Sequence, residues 1–144
     1  FRMFRRDGSF VKAWGDKPEI GTPHSVTIDR QNNYWVTDST GHQVLKFDAQ
    51  GKLLMTLGTK DKAGDNTSRD LFNQPNHVAI APNGDIYVSD GYVNARVVQF
   101  KADGTFVRVM RAEGQEERAT GTWTAKEGAL EVVPQGQWVR VRRS

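Results

Sequence analysis

The chain of 144 residues contains no cysteine. That excludes disulfides, thiolate chemistry and any cysteine-based zinc site. No apolar run approaches the length of about 18 residues that a membrane span needs. There is no glycine-rich phosphate loop of P-loop or dinucleotide type, and no G-x-S-x-G nucleophile elbow. No carboxylate pair stands out from the acids of turns and surface. Residues 1–110 show no helical period. Charge of one sign is also scarce. The net charge of +3 is too small to point to nucleic acid. Its basic excess gathers at Arg2, Arg5 and Arg6 and at Arg140, Arg142 and Arg143, which read as solvated termini. The first residue is Phe1 rather than methionine, and the pattern starts midway. The chain therefore reads as processed, trimmed or one piece of a longer sequence, with no visible leader.

What is present is a repeat. Residues 23–57, PHSVTIDRQNNYWVTDSTGHQVLKFDAQGKLLMTL, correspond to residues 75–109, PNHVAIAPNGDIYVSDGYVNARVVQFKADGTFVRV. Pro23 and Pro75 are 52 positions apart, as are Asp38 and Asp90, and Phe47 and Phe100 are 53 apart. Each copy alternates apolar and polar residues in four short runs separated by Asn-, Asp- and Gly-bearing turns. This is the pattern of antiparallel hairpins. The predicted strands are 24–28, 34–37, 43–47 and 53–57 in the first copy, and 77–80, 86–89, 96–100 and 106–110 in the second. Repeated four-stranded meanders of this length predict an all-β fold, a partial β-propeller.

The run MFRRDGSFVKAWG matches KFDAQGKLLMTLG 43 positions later, so residues 1–15 read as the end of a preceding blade. Residues 16–58 are then one blade, 59–74 a long polar loop, and 75–110 a second blade. Residues 111–144 break the repeat. In this tail, 111–119 is a charged stretch expected to be a short helix or a linker. Runs at 122–125, 129–133 and 137–142 suggest a β hairpin or meander. Propellers close on themselves with 4–8 blades, and this chain has two whole blades and half of another. Three arrangements fit. The chain is part of a longer protein, it pairs with a second copy or another chain to complete a ring, or its tail caps the open side.

The phrases GTPHSVTID, NNYWVTDSTGHQVLKFD and DIYVSDGYVNARVVQFKADGTFV resemble NHL-type propeller repeats. They are similar in particular to the peptidyl-α-hydroxyglycine α-amidating lyases, over roughly residues 1–110. The resemblance implies cleavage of a peptidyl-α-hydroxyglycine to a peptide amide and glyoxylate. It further implies a zinc ion held by three histidines from Pro-His motifs of different blades, a tyrosine base, a substrate-binding arginine and a structural calcium. A three-histidine zinc leaves a position open for the substrate hydroxyl. By position, His24 of Pro23-His24 matches a zinc ligand, Tyr92 of Asp90-Gly91-Tyr92 matches the base, and the backbone carbonyl of Val26 matches a calcium ligand. An extracytoplasmic or secreted location follows from the resemblance alone.

The second copy departs from this pattern. It has Pro75-Asn76 where a repeated motif would have Pro-His, and His77 one place later, where alternation turns it to the other face. Arg96 matches a recurrent blade position rather than the substrate arginine. Read without the resemblance, His24 is as readily a polar residue bonded to a neighbouring carbonyl, and Tyr92 a loop aromatic packed between blades. His42 and His77 read as structural or surface residues. Asp38 and Asp90 end a strand before a turn in both copies, which suggests side-chain bonds to turn backbone. Trp14, Trp35 and the valines read as core between blades, and Trp123 and Trp138 as packing within the tail. The function classes that remain are a zinc- and calcium-dependent lyase segment acting on a peptide substrate, a non-catalytic propeller module for protein binding or assembly, and an inactive fragment or fusion.

Overall fold

The computed structural model describes all residues except 17–18, 103–104, 113–114, 127–128, 135–138 and 142–144, and describes side chains for residues 1–16, 19–102, 105, 121 and 122. Thirteen strands make up its regular structure, and no helix occurs among the described residues. They are β1 (Arg2–Phe4), β2 (Phe10–Ala13), β3 (Pro23–Ile28), β4 (Tyr34–Asp38), β5 (Gln43–Phe47), β6 (Leu53–Gly58), β7 (His77–Ile80), β8 (Ile86–Asp90), β9 (Arg96–Phe100), β10 (Thr105–Ala112), β11 (Gln115–Lys126), β12 (Ala129–Pro134) and β13 (Val139–Val141). The fold is all-β, a partial β-propeller.

β1 and β2 form an antiparallel hairpin, and β3–β6 form a four-stranded meander. β7–β10 repeat the meander, and their sheet continues through β11 and β12, with β13 pairing farther along the same edge of β11 that β12 uses. Alternation along β4 gives both of its faces to the interior, and all five of its residues are buried. Tyr34 and Val36, with Leu45 and Phe47 from β5, face the β1–β2 side, where Phe1, Met3 and Trp14 pack against them. Trp14 meets Tyr34 at 5.0 Å and Phe47 at 5.3 Å between ring centroids. Trp35, Val44 and Leu57 face the other way, onto Val78, Ile86, Val88, Val98 and Phe100 of the second meander. Each such apolar side chain contributes about 1.5–3 kcal/mol on full burial. The repeat thus works as stacking units, each apolar face covered by its neighbour.

Residues 59–74 carry no strand beyond an isolated bridge between Thr59 and Lys62, yet they are tied down. Phe72 is buried in the core between the meanders, and its carbonyl accepts the Gly64 N–H at 2.8 Å.

The tail differs from expectation in one place. The charged stretch 111–119 is neither helix nor linker. Its first residues end β10 and its later ones begin β11, which pairs with β10 from Thr105↔Thr122 to Ala112↔Gln115. An isolated short helix is marginal in water, whereas the outer edge of β10 offers a row of unpaired backbone groups to the chain that follows. The tail therefore extends the second meander at its outer edge, and β12 comes close to β6 of the first. Of the expected strand at 137–142, only Val139–Val141 lies within the described residues, and the side chains of Trp123 and Trp138 lie outside them.

Glycine is required where β6 ends. Gly58 has φ +86°, and a Cβ there would stand 2.7 Å from the His42 carbonyl oxygen. Gly84, in the β7–β8 turn, has a similar φ of +89° but would meet only Ala102 Cβ at 3.4 Å. Both substitutions to alanine strain the backbone, and Gly58→Ala adds a steric clash. Gly58→Ala is expected to lower stability by about 2–4 kcal/mol and Gly84→Ala by about 1 kcal/mol, as measured by urea unfolding. Equal losses would show that the His42 contact is unimportant.

Candidate functional site

The candidate site lies where the innermost strands of the two meanders meet. β3 runs beside β7, and Thr27 Oγ1 donates to the Val78 carbonyl at 2.6 Å across that junction. Near the start of β3 the register with β4 shifts, from Pro23↔Asp38 to Ser25↔Thr37, leaving His24 as the extra residue. Such bulges re-aim a side chain. His24 Nδ1 lies 2.8 Å from the Asn76 carbonyl oxygen, and Nε2 lies 2.8 Å from Tyr92 Oη. A carbonyl only accepts, so Nδ1 carries the proton. In the neutral ring Nε2 then accepts from the phenol. The two rings meet edge to face, with centroids 5.2 Å apart. Both residues are exposed.

The structure therefore brings together His24 and Tyr92, 68 positions apart in the chain. Val26 stands two residues along β3 from His24, its side chain 49% exposed. His77 is exposed on β7. His42 lies elsewhere, its Nδ1 accepting the Gln74 N–H at 3.2 Å. A cavity of ≈ 380 Å³ is lined by Phe1, Arg2, Trp14 and Asp16 among others, and includes neither His24 nor Tyr92.

The donor set can be weighed against the metals that the resemblance implies. An imidazole whose Nδ1–H is held by a carbonyl is the usual orientation of a metal-bound histidine, and His24 has it. A zinc site needs further ligands. Among the described residues no group of three His, Cys, Asp or Glu side chains converges. The described residues therefore do not by themselves fit a zinc ion. For calcium, which takes 6–8 oxygen ligands, the described residues around Val26 offer no carboxylate cluster either.

Tyr92 is carried on the β8–β9 turn, and a buried polar network holds that turn. Asp90 accepts the Asn73 N–H at 2.8 Å, Asn94 Nδ2 at 2.8 Å and Arg96 Nε at 2.8 Å. The Asp90–Arg96 ion pair is almost wholly buried. Arg96 also donates to the carbonyls of Asn66, Ser68 and Leu71, and Asn94 Nδ2 reaches the Gly64 carbonyl at 3.3 Å. The long loop is fastened in this way to the turn that bears Tyr92. In the first meander Asp38 does the corresponding work. It accepts the N–H groups of Gly21, Thr22 and Gly41 at 2.8, 2.8 and 3.0 Å, and Gln43 Nε2 at 3.1 Å. Burial alone would raise the Asp38 pKa, but these four donors outweigh it and hold the carboxyl below its ordinary value. Asp29 follows the same balance, with burial opposed by bonds from Asn33 and Trp35 and by Lys46. Sequence reasoning identified Asp38 and Asp90 but gave Arg96 and Asn76 no part. Arg96 was visible only as a recurrent blade position.

Comparison with known proteins agrees with the repeat and the fold. The NHL repeat model matches residues 21–47 and 72–100. The probable peptidyl-alpha-hydroxyglycine alpha-amidating lyase of Caenorhabditis elegans is 42% identical over 97 residues, which is 67% of this chain and 27% of that protein. The peptidylglycine alpha-amidating monooxygenase of Rattus norvegicus is 46% identical over 88 residues, 59% of this chain and 9% of that protein. The chain thus spans about a quarter or less of these relatives. Among solved structures, a streptogramin B lyase superposes with a TM-score of 0.55 at 16% identity, covering 93% of this chain and 47% of that one, which shows the propeller fold. The chain is an NHL-repeat β-propeller segment that resembles part of the amidating lyases.

Two outcomes follow from the carboxylate networks. A carboxyl with a lowered folded pKa stabilises the protein fully above its unfolded value and loses that stabilisation as pH falls through the folded one. The melting temperature is therefore expected to hold above about pH 5 and to drop on acidification below 3.8, the ordinary value of Asp38 and Asp29. Asp38→Asn turns an amide donor toward the donors that Asp38 accepts, and should cost about 2–4 kcal/mol at pH 7 while flattening the acid limb. Thermal melts from pH 7 to pH 2 check both statements. Removal of the buried cation by Arg96→Met leaves Asp90 uncompensated and should cost about 3–5 kcal/mol. It should also release the loop, so that trypsin cuts at Lys60, Lys62 or Arg69 well before the unmodified chain is cut. Unchanged cleavage kinetics would refute the fastening role.

Proposed function

We propose that this chain is a segment of an amidating-lyase-type propeller and contributes His24 and Tyr92 to a site completed by residues outside it. The reaction is the cleavage of a peptidyl-α-hydroxyglycine to a peptide amide and glyoxylate. The observation that carries this reading is the direct bond between His24 Nε2 and Tyr92 Oη, because the motif resemblance alone singles out both residues. Tyr92, once it has lost its own proton to solvent and stands as the phenolate, takes the proton of the substrate hydroxyl as general base. In the complete site His24 would be one of several zinc ligands, giving the metal the Nε2 lone pair that here meets the Tyr92 hydroxyl, and the Val26 carbonyl would be one of several calcium ligands. When bound, zinc supplies Lewis-acid polarisation of the substrate oxygen. The remaining ligands and the substrate arginine come from blades that these residues do not include.

A second reading, a non-catalytic module for protein binding or assembly, is favoured by the lone imidazole of the site and by the open outer side of the second meander. Val97 is 44% exposed there, whereas its repeat counterpart Val44 is fully buried against the neighbouring meander. In this reading the chain self-associates, or another chain completes the ring.

Zinc uptake and glyoxylate release separate the two. Under the lyase reading the purified chain takes up zinc only weakly, His24→Ala abolishes that uptake, and His42→Ala and His77→Ala leave it. Any glyoxylate released from a peptidyl-α-hydroxyglycine should fall about 100-fold or more in Tyr92→Phe, the usual effect of losing a general base. Zinc uptake that is indifferent to His24→Ala sinks the lyase reading. Absence of glyoxylate release under saturating zinc, together with dimers or larger species by light scattering, supports the module.

A further inference from the structure

We propose that Asn76 is a positioning residue, fixing the imidazole of His24 and the turn of Tyr92 in one arrangement; this rests on the proposed lyase reading for its function but not for its geometry. Asn76 occupies the place in the second copy that His24 occupies in the first, one residue after Pro75. The substitution of an imidazole by an amide looks like a lost ligand. In the structure it is a gained support.

The carbonyl, the N–H and the side-chain Oδ1 of Asn76 are turned to this task. Its carbonyl accepts His24 Nδ1–H at 2.8 Å and Thr37 Oγ1 at 3.4 Å. Its N–H donates to the Ser89 carbonyl at 2.9 Å. Its side-chain Oδ1 accepts Ser89 Oγ at 2.5 Å. Its Nδ2 sits beneath Gly91, where an added Cβ would approach to 3.2 Å. A closed cycle results: His24 to Asn76, Asn76 to Ser89, Ser89 along the backbone to Gly91 and Tyr92, and Tyr92 back to His24. Because one residue touches both arms, the Nδ1–H tautomer of His24 and the reach of Tyr92 Oη are set together. The bond to the carbonyl leaves the Nε2 lone pair facing the phenol, so tautomer and contact rise or fall as one. A second histidine at this place would lack the short amide arm that grips Ser89 and seats Gly91.

Long-range proton–nitrogen correlation of the imidazoles in the ¹⁵N-labelled chain at pH 8 tests this directly. The unmodified chain should show His24 predominantly as the Nδ1–H tautomer. Asn76→Ala keeps the main-chain carbonyl that accepts Nδ1–H but cuts its side-chain tie to Ser89, and should shift the tautomer ratio toward Nε2–H by up to about five-fold, the most that the loss of one hydrogen bond gives, while the backbone amide spectrum remains folded. Asn76→Asp retains the acceptor for Ser89 Oγ and should restore the original ratio. Should Asn76→Ala fail to fold, Ser89→Ala removes the same bond from its other end and should give the same shift. A folded Asn76→Ala or Ser89→Ala chain with an unaltered His24 tautomer overturns the proposal, as does a predominantly Nε2–H form in the unmodified chain. These readouts need neither zinc nor turnover, so a failed lyase reading and a failed positioning role give different results.

Discussion

The packing of one four-stranded meander on the next is the constraint from which the rest of this structure follows. Trp35, Val44 and Leu57 on one side and Val78, Ile86, Val88, Val98 and Phe100 on the other form a single apolar layer. Nothing directional sets this contact beyond the shapes of the side chains, yet it fixes the approach of β3 to β7. Only with that approach set can Thr27 reach the Val78 carbonyl and His24 the Asn76 carbonyl. The polar site is thus a by-product of apolar registration. A change of one residue in either register would send the alternating side chains to the wrong face.

On this frame the two copies diverge where they touch loops. Both keep an aspartate at the end of the second strand, buried and saturated with donors. In the first, Gln43 adds a neutral bond and ties down the preceding segment through the Glu19 carbonyl. In the second, Arg96 adds a charge and three carbonyl contacts, which a longer loop demands. An uncompensated carboxylate at such a depth would be costly. The cation is therefore as much a condition of burying Asp90 as it is a clamp on residues 59–74. The same scaffold position holds a short connection in one copy and a long one in the other by exchanging an amide for a guanidinium.

Much of this was legible in the residues themselves. The spacing from Pro23 to Pro75 and from Asp38 to Asp90 revealed the repeat, and period-two patterning placed the strands of both meanders close to where they lie. His24 and Tyr92 were found by motif, and the structure sets them in contact. What escaped was whatever depends on backbone atoms or on pairing between distant segments. The acceptor for His24 is a carbonyl, and no side chain announces it. Asn76 drew notice only as a departure from Pro-His, because its value lies in its main chain and in a bond to Ser89 that only folding creates. Residues 111–119 read as helix or linker because charged, alanine-bearing stretches suit a helix locally. The open edge of β10, a tertiary feature, decided otherwise.

The site lies at a seam between copies, and there the two copies divide the work. Identical residues at every seam would give each pair of inner strands the same imidazole and the same phenol, and each would then require the same support from the next blade. A histidine at position 76 would still offer its main-chain carbonyl to His24, but it would lack the short amide whose Oδ1 accepts from Ser89 Oγ. Here His24 stands on one side of the seam and Asn76 on the other. The first presents a nitrogen, and the second presents a carbonyl and an amide that fix which nitrogen it is. At this one seam the difference between the copies is what joins the imidazole of His24 to the turn that carries Tyr92, through the Asn76 carbonyl, the Ser89 hydroxyl and the His24–Tyr92 contact.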